Sequence, residues 1–146
     1  MKRAVLLVTA LLAVSTPEPT LDRARFIELN KKGRELRQKQ DWKGLREVLL
    51  KIGKELPAPT PIYLLRMASV EARLGNNSEA LRWLESYTAM GLTYDVASDD
   101  DLKMLLADPG WPKVEEQMKR AQSEQIRSAR RALVDKSFWR GDNWRS

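Results

Sequence analysis

From residue 22 onward, the apolar positions recur at the spacings of helix faces. Phe26, Leu29, Gly33 and Leu36 stand three, four and three residues apart. Lys31, Lys32, Arg34 and Glu35 fill the positions between, which predicts a helix with one face toward a core and the other toward water. Asp41 is a cap residue ahead of a second periodic run, Leu45, Val48, Leu49 and Ile52. Pro57, Pro59 and Pro61 end that run, and Pro61 suits the first turn of a third helix, where its missing N–H costs nothing. This third helix extends to about Leu74 over Leu64, Leu65, Met67, Ala68 and Ala72. Gly75-Asn76-Asn77 then turns the chain. Asn77 or Ser78 caps a fourth helix that carries Ala80, Leu81, Trp83, Leu84 and Tyr87 to about Met90-Gly91. Helices of this length with short connections predict antiparallel hairpins.

From Leu92 to Pro112 the period breaks. Ser98 or Asp99 can cap a short helix over Asp100 to Leu106, which puts Asp99, Asp100 and Asp101 at a helix N-terminus, where negative charge is favoured. After Asp108-Pro109-Gly110, a last face begins at Trp111, Val114 and Met118, with Pro112 at a first helical position, and continues through Ile126 and Ala129 to Leu133. At the other end of the chain, Lys2 and Arg3 precede the apolar run Ala4 to Val14, and Ala13-Val14-Ser15 places small residues around a cut after Ser15. That is the pattern of a secretory signal. The apolar run is too short to span a bilayer core of roughly 30 Å. The expected organisation is a signal peptide at 1–15, a Pro-rich linker at 16–21, a helical domain at 22–134 and an aromatic, basic tail at 135–146. The expected location is periplasmic or extracellular, with no transmembrane anchor after cleavage.

The two hairpins align with each other at an offset of 35 residues. Gln40 to Leu45 falls on Gly75 to Ala80, Gly33 on Ala68, Leu49 on Leu84 and Ile52 on Tyr87. On these residues, the segment from about 22 to 92 resembles two tetratricopeptide repeats. The match is best at Leu74-Gly75-Asn76-Asn77-Ser78-Glu79-Ala80-Leu81. The first unit departs from the family pattern, with Gln40 where glycine is common and Leu45 where alanine is common, and the second has Asn77 where an aromatic is expected. The resemblance implies an all-α fold: antiparallel helical hairpins in a short array, closed by a C-terminal capping helix. The order Met90-Gly91-Leu92-Thr93-Tyr94-Asp95, Asp100 to Leu105 and Asp108 to Val114 is similar to the accessory module that precedes gluconolactonase-like β-propellers in some exported bacterial proteins. This implies an alternative, an accessory or truncated N-terminal module of a larger secreted enzyme.

Composition narrows the chemistry. The 146 residues include no Cys and no His, which removes disulfides, thiol nucleophiles, thiolate metal sites and a Ser-His-Asp triad. No catalytic residue, metal ligand or cofactor is expected. The net charge of +6 is uneven: residues 22–55 carry 11 basic and 6 acidic groups, 56–118 carry 5 and 10, and 119–146 carry 8 and 3. An acidic middle between basic flanks suits docking with acidic partners and, together with a secretory signal, argues against nucleic acid.

Asp95, Asp99, Asp100 and Asp101 offer oxygen ligands but lack the spacing of a calcium loop, so helix capping is the simpler reading. Asp95/Asp99 and Glu115/Glu116 show no sign of the pocket that acid–base chemistry requires. Trp42 and Trp83 read as core or hairpin-seam residues, or as anchors for a partner. In the tetratricopeptide architecture the first helix of each unit lines the concave face. This places Arg37, Tyr63, Arg66 and Arg73 as candidate partner-binding residues, with their guanidiniums facing a peptide's carboxylates; a solvated basic face is the plainer alternative. Arg127, Arg130 and Arg131, after Lys119 and Arg120, make a basic stripe suited to weak association with an anionic membrane. The expected function is therefore binding of a protein or peptide, without catalysis; a further alternative is a basic helical protein that associates with nucleic acid or a membrane surface.

Overall fold

The computed structural model describes residues 22–134; the expected leader, linker and tail lie outside them. Five α-helices follow in order: α1 (Arg23–Gln38), α2 (Trp42–Glu55), α3 (Pro61–Arg73), α4 (Asn77–Ala89) and α5 (Trp111–Val134). Two short 3₁₀ turns, Val96–Ser98 and Lys103–Ala107, lie between α4 and α5. The architecture is all-α, a helical-repeat-like array of antiparallel hairpins with a distinct C-terminal helix and no strand among the described residues.

Side chains close the orphan N–H groups where helices start. Asp22 accepts from the Arg25 N–H at 3.1 Å, Asp41 from Gly44 at 2.9 Å and Thr60 from Tyr63 at 3.3 Å. The fourth start differs from the expectation. Asn76 holds the cap position but makes no capping bond; its amide donates to Glu71 Oε2 at 2.8 Å instead.

The two units repeat in their backbone bonds. The Gln40 N–H donates to the Arg37 carbonyl and the Asp41 N–H to that of Leu36; 35 residues later, Gly75 donates to Ala72 and Asn76 to Glu71. Both are Schellman endings, which need a residue in the left-handed region. Gly75 supplies it at φ +81, and Gln40 is forced into it at φ +55. A side chain there costs roughly 1–2 kcal/mol, which glycine avoids at some entropic cost. Gln40→Gly is therefore expected to stabilise the fold by about 0.5–1 kcal/mol, read as a higher urea midpoint at unchanged slope.

Burial follows the same register. Leu49 and Leu84, and Ile52 and Tyr87, are all buried. One core cluster joins Leu45, Val48, Leu49 and Ile52 of α2 to Tyr63, Leu64, Met67 and Val70 of α3. The other joins Ala68 and Ala72 of α3 to Leu81 and Leu84 of α4, Val114 and Met118 of α5, and Val96, Leu102 and Leu105. The last three belong to the connection between α4 and α5. The helix expected over Asp100 to Leu106 does not form; the chain takes 3₁₀ turns that drive Leu102 and Leu105, both 0% exposed, into the core.

Candidate functional site

Helical spacing sets which side chains of α1 and α3 share the concave face. On α1 the stripe is Ile27, Asn30, Arg34 and Arg37; on α3 it is Ile62, Arg66, Ser69 and Arg73, each 35 or 36 residues after its counterpart. Two polar bridges cross between the helices. Arg66 Nη1 donates to Asn30 Oδ1 at 3.2 Å. Two turns further along, Asp101 accepts from both sides, with Arg37 Nη2 at 2.6 Å on one carboxylate oxygen and Arg73 Nη2 at 2.6 Å on the other. The Asp101 side chain is 9% exposed.

Between the bridges lies a cleft of about 110 Å³, floored by Leu45, Leu49 and Ile52 of α2 and Val70 of α3. Trp42 forms its wall beneath the Arg73 guanidinium, which sits 5.4 Å from the ring centroid. Arg34 reaches the rim with no carboxylate partner among the described residues. Small-molecule sites typically run to roughly 300–1,000 Å³, so this cleft holds one apolar side chain rather than a cofactor. Seven residues of helix separate the bridges, roughly 10 Å of rise at about 1.5 Å each, or about three residues of an extended chain.

Of the expected residues, Arg37, Arg66 and Arg73 are on this face, and Arg37 and Arg73 share the single carboxylate of Asp101. Tyr63 is not on it. Its ring is buried at 7% exposure and meets Trp83 edge-on with centroids 5.9 Å apart, while its hydroxyl fills the space that a side chain at Gly53 would need. One residue along a helix is a rotation of about 100°, and the outward position is Ile62, 60% exposed, matched by Ile27 at 58% on α1. Sequence reasoning missed Ile27, Asn30, Arg34 and Ile62. Steps of three and four residues back from Arg37 and Arg66 along their own helices would have found them.

The acidic residues do not share one helix end. Asp95 accepts from the Ser98 N–H and hydroxyl, which hold it below the usual carboxylate range. Asp100 pairs with Lys103 at 2.6 Å and is lowered by that partner. Asp99 accepts from the Tyr94 hydroxyl at 2.6 Å, a bond that, with burial and the negative charge, pushes Tyr94 up to about 12. Tyr94 thus stays a protonated donor at neutral pH. Glu115 and Glu116 pair with Lys119 and Arg120 one turn along α5, at 3.0 and 2.5 Å. Among the described residues no group of acidic side chains is placed to hold a metal ion, and no helix is long and apolar enough to cross a membrane. No family model, curated protein or solved structure matches this chain.

Proposed function

We propose that this chain is an exported, tetratricopeptide-like scaffold that binds a protein or peptide segment on the α1/α3 face and performs no chemistry of its own. The observation that carries this reading is the cleft itself. An apolar floor is rimmed by guanidiniums and sized for one side chain, and the exposed isoleucines Ile27 and Ile62 extend its apolar character at one end. A matching partner presents one apolar side chain flanked by carboxylates, for which Arg34 and Arg66 remain available. Export rests on Lys2, Arg3, the run to Val14 and the small residues before the expected cut.

The test is selection from a random-peptide library on the full chain, followed by titration of the enriched peptides against variants. Ile62→Glu and Arg34→Glu are expected to weaken binding by about ten-fold or more, the scale of a lost anchor. Lys51→Glu, on an exposed position of α2, is expected to leave it unchanged. Peptides that bind Ile62→Glu and Arg34→Glu as tightly as the parent chain, or a selection that enriches nothing, would overturn the assignment.

A further inference from the structure

α5 has two unlike halves. As far as Ala121 it buries Val114, Met118 and Ala121. From Gln122 to Leu133 every residue is exposed. A hydrogen bond from Gln125 Nε2 to the Gly91 carbonyl, at 2.6 Å, is the side-chain tie to the rest of the fold that lies furthest along the helix among the described residues. The exposed half rises roughly 18 Å at about 1.5 Å per residue. One stripe of it carries Ile126, Arg130 and Leu133, at spacings of four and three, with the two apolar residues 48% and 67% exposed. Arg127 and Arg131 border the stripe, and Lys119 and Arg120 precede it. Against these five cations residues 119–134 contain one acid, Glu124, whose contact with Arg127 is a loose 3.8 Å.

Charge decides what this half of the helix meets. A second copy docking through the same stripe would set five cations against five. An uncharged apolar groove would strip water from guanidiniums without replacing it. The occupant is therefore anionic. The stripe is a convex line with no cleft for a partner side chain, and its two large apolar residues are flanked by arginines long enough to lie along a surface while their heads stay in water. The sequence that follows supplies Phe138, Trp139 and Trp144 among Lys136, Arg140 and Arg145, residue types that settle at the headgroup level of a bilayer. We infer that the projecting half of α5 docks the protein on an anionic lipid surface, with Arg127, Arg130 and Arg131 against headgroup phosphates and Ile126 and Leu133 seated at the acyl boundary. This surface is separate from the concave cleft and does not depend on the function assigned to it.

The experiment is co-sedimentation of the full chain with phosphatidylcholine vesicles, alone or containing phosphatidylglycerol, at low and high salt. Each basic residue near an anionic surface strengthens binding roughly five-fold. Replacing the three arginines in Arg127→Gln, Arg130→Gln and Arg131→Gln together is thus expected to weaken binding to the anionic vesicles by about a hundred-fold. Any contribution from Lys2 to Val14 is common to both chains and cancels. The exposed positions leave folding intact, which an unchanged helical circular dichroism spectrum will show. High salt is expected to release the parent chain, and Ile126→Ser with Leu133→Ser to weaken binding by only a few fold. Equal binding to neutral vesicles, or to anionic vesicles by the triple variant, would overturn the inference. So would capture by poly-glutamate with no binding to anionic vesicles, which would assign the stripe to an acidic protein.

Discussion

Arg46→Ala is expected to destabilise the fold by about 2–3 kcal/mol, although the arginine is half-exposed and the substitution removes no core side chain. The cost falls on its partner. Glu71 is 1% exposed, and its carboxylate is held by Arg46 Nε at 2.6 Å and by the Asn76 amide at 2.8 Å. The Asn76 N–H also donates to the Glu71 carbonyl, so one residue ties α2, α3 and the turn into α4 together. The Arg46 guanidinium is held above its ordinary value, first by its hydrogen bond to Glu71 and then by the attraction of that charge. Deleting one partner of a buried ion pair leaves the other charge uncompensated, at roughly 3–5 kcal/mol. Solvent around Arg46, 43% exposed, reduces that figure. Arg46→Met with Glu71→Met should recover part of the loss, because no charge is then stranded, and should fall short because the Asn76 amide loses its acceptor. Urea unfolding of the two variants checks both statements; an Arg46→Ala midpoint equal to the parent's would refute the first.

The second large effect concerns what holds the connection between α4 and α5 in place. Leu102→Ala is expected to cost about 3 kcal/mol, within the roughly 2–5 kcal/mol seen when a buried leucine is cut to alanine. Leu102 is fully buried between α3, α4 and α5. Asp101→Asn, next to it, should cost only about 1 kcal/mol, since Arg37 and Arg73 remain 57% and 37% exposed and can return to water. The hydrophobic anchor thus outweighs the ion bridge, although the bridge is what closes the groove. Urea denaturation gives the two costs. Amide exchange across residues 95–107 should accelerate far more in Leu102→Ala than in Asp101→Asn, and the reverse order would mean that the arginines hold the segment.

Much of the scaffold was legible because it follows short-range rules. The cap at Asp41, Pro61 in the first turn of α3, the turn at Gly75 and the 35-residue register are written in neighbouring residues. What was not legible depends on several helices at once. α3 lies between α2 and α4 and buries Ser69, Val70, Glu71 and Ala72 in succession, so no single face describes it, and Tyr63 could not be told from Ile62 by period alone. Glu71 reads as a solvated charge until Arg46, 25 residues away, is brought beside it. The acidic segment suggested one capped helix because the partners of Asp101, Arg37 and Arg73, are 64 and 28 residues distant.

The two bridges across the concave face differ in what backs them, and the difference gives the groove a direction. At the isoleucine end, Asn30 and Arg66 share one exposed hydrogen bond, worth about 1 kcal/mol. At the other end, a buried carboxylate joins two cations and is anchored by the leucine that follows it. On the proposed function, a bound polypeptide would part the first bridge and meet a wall at the second. The groove therefore suits a chain terminus or the tip of a loop, which can stop there, over the middle of a long strand, which would have to turn out sideways.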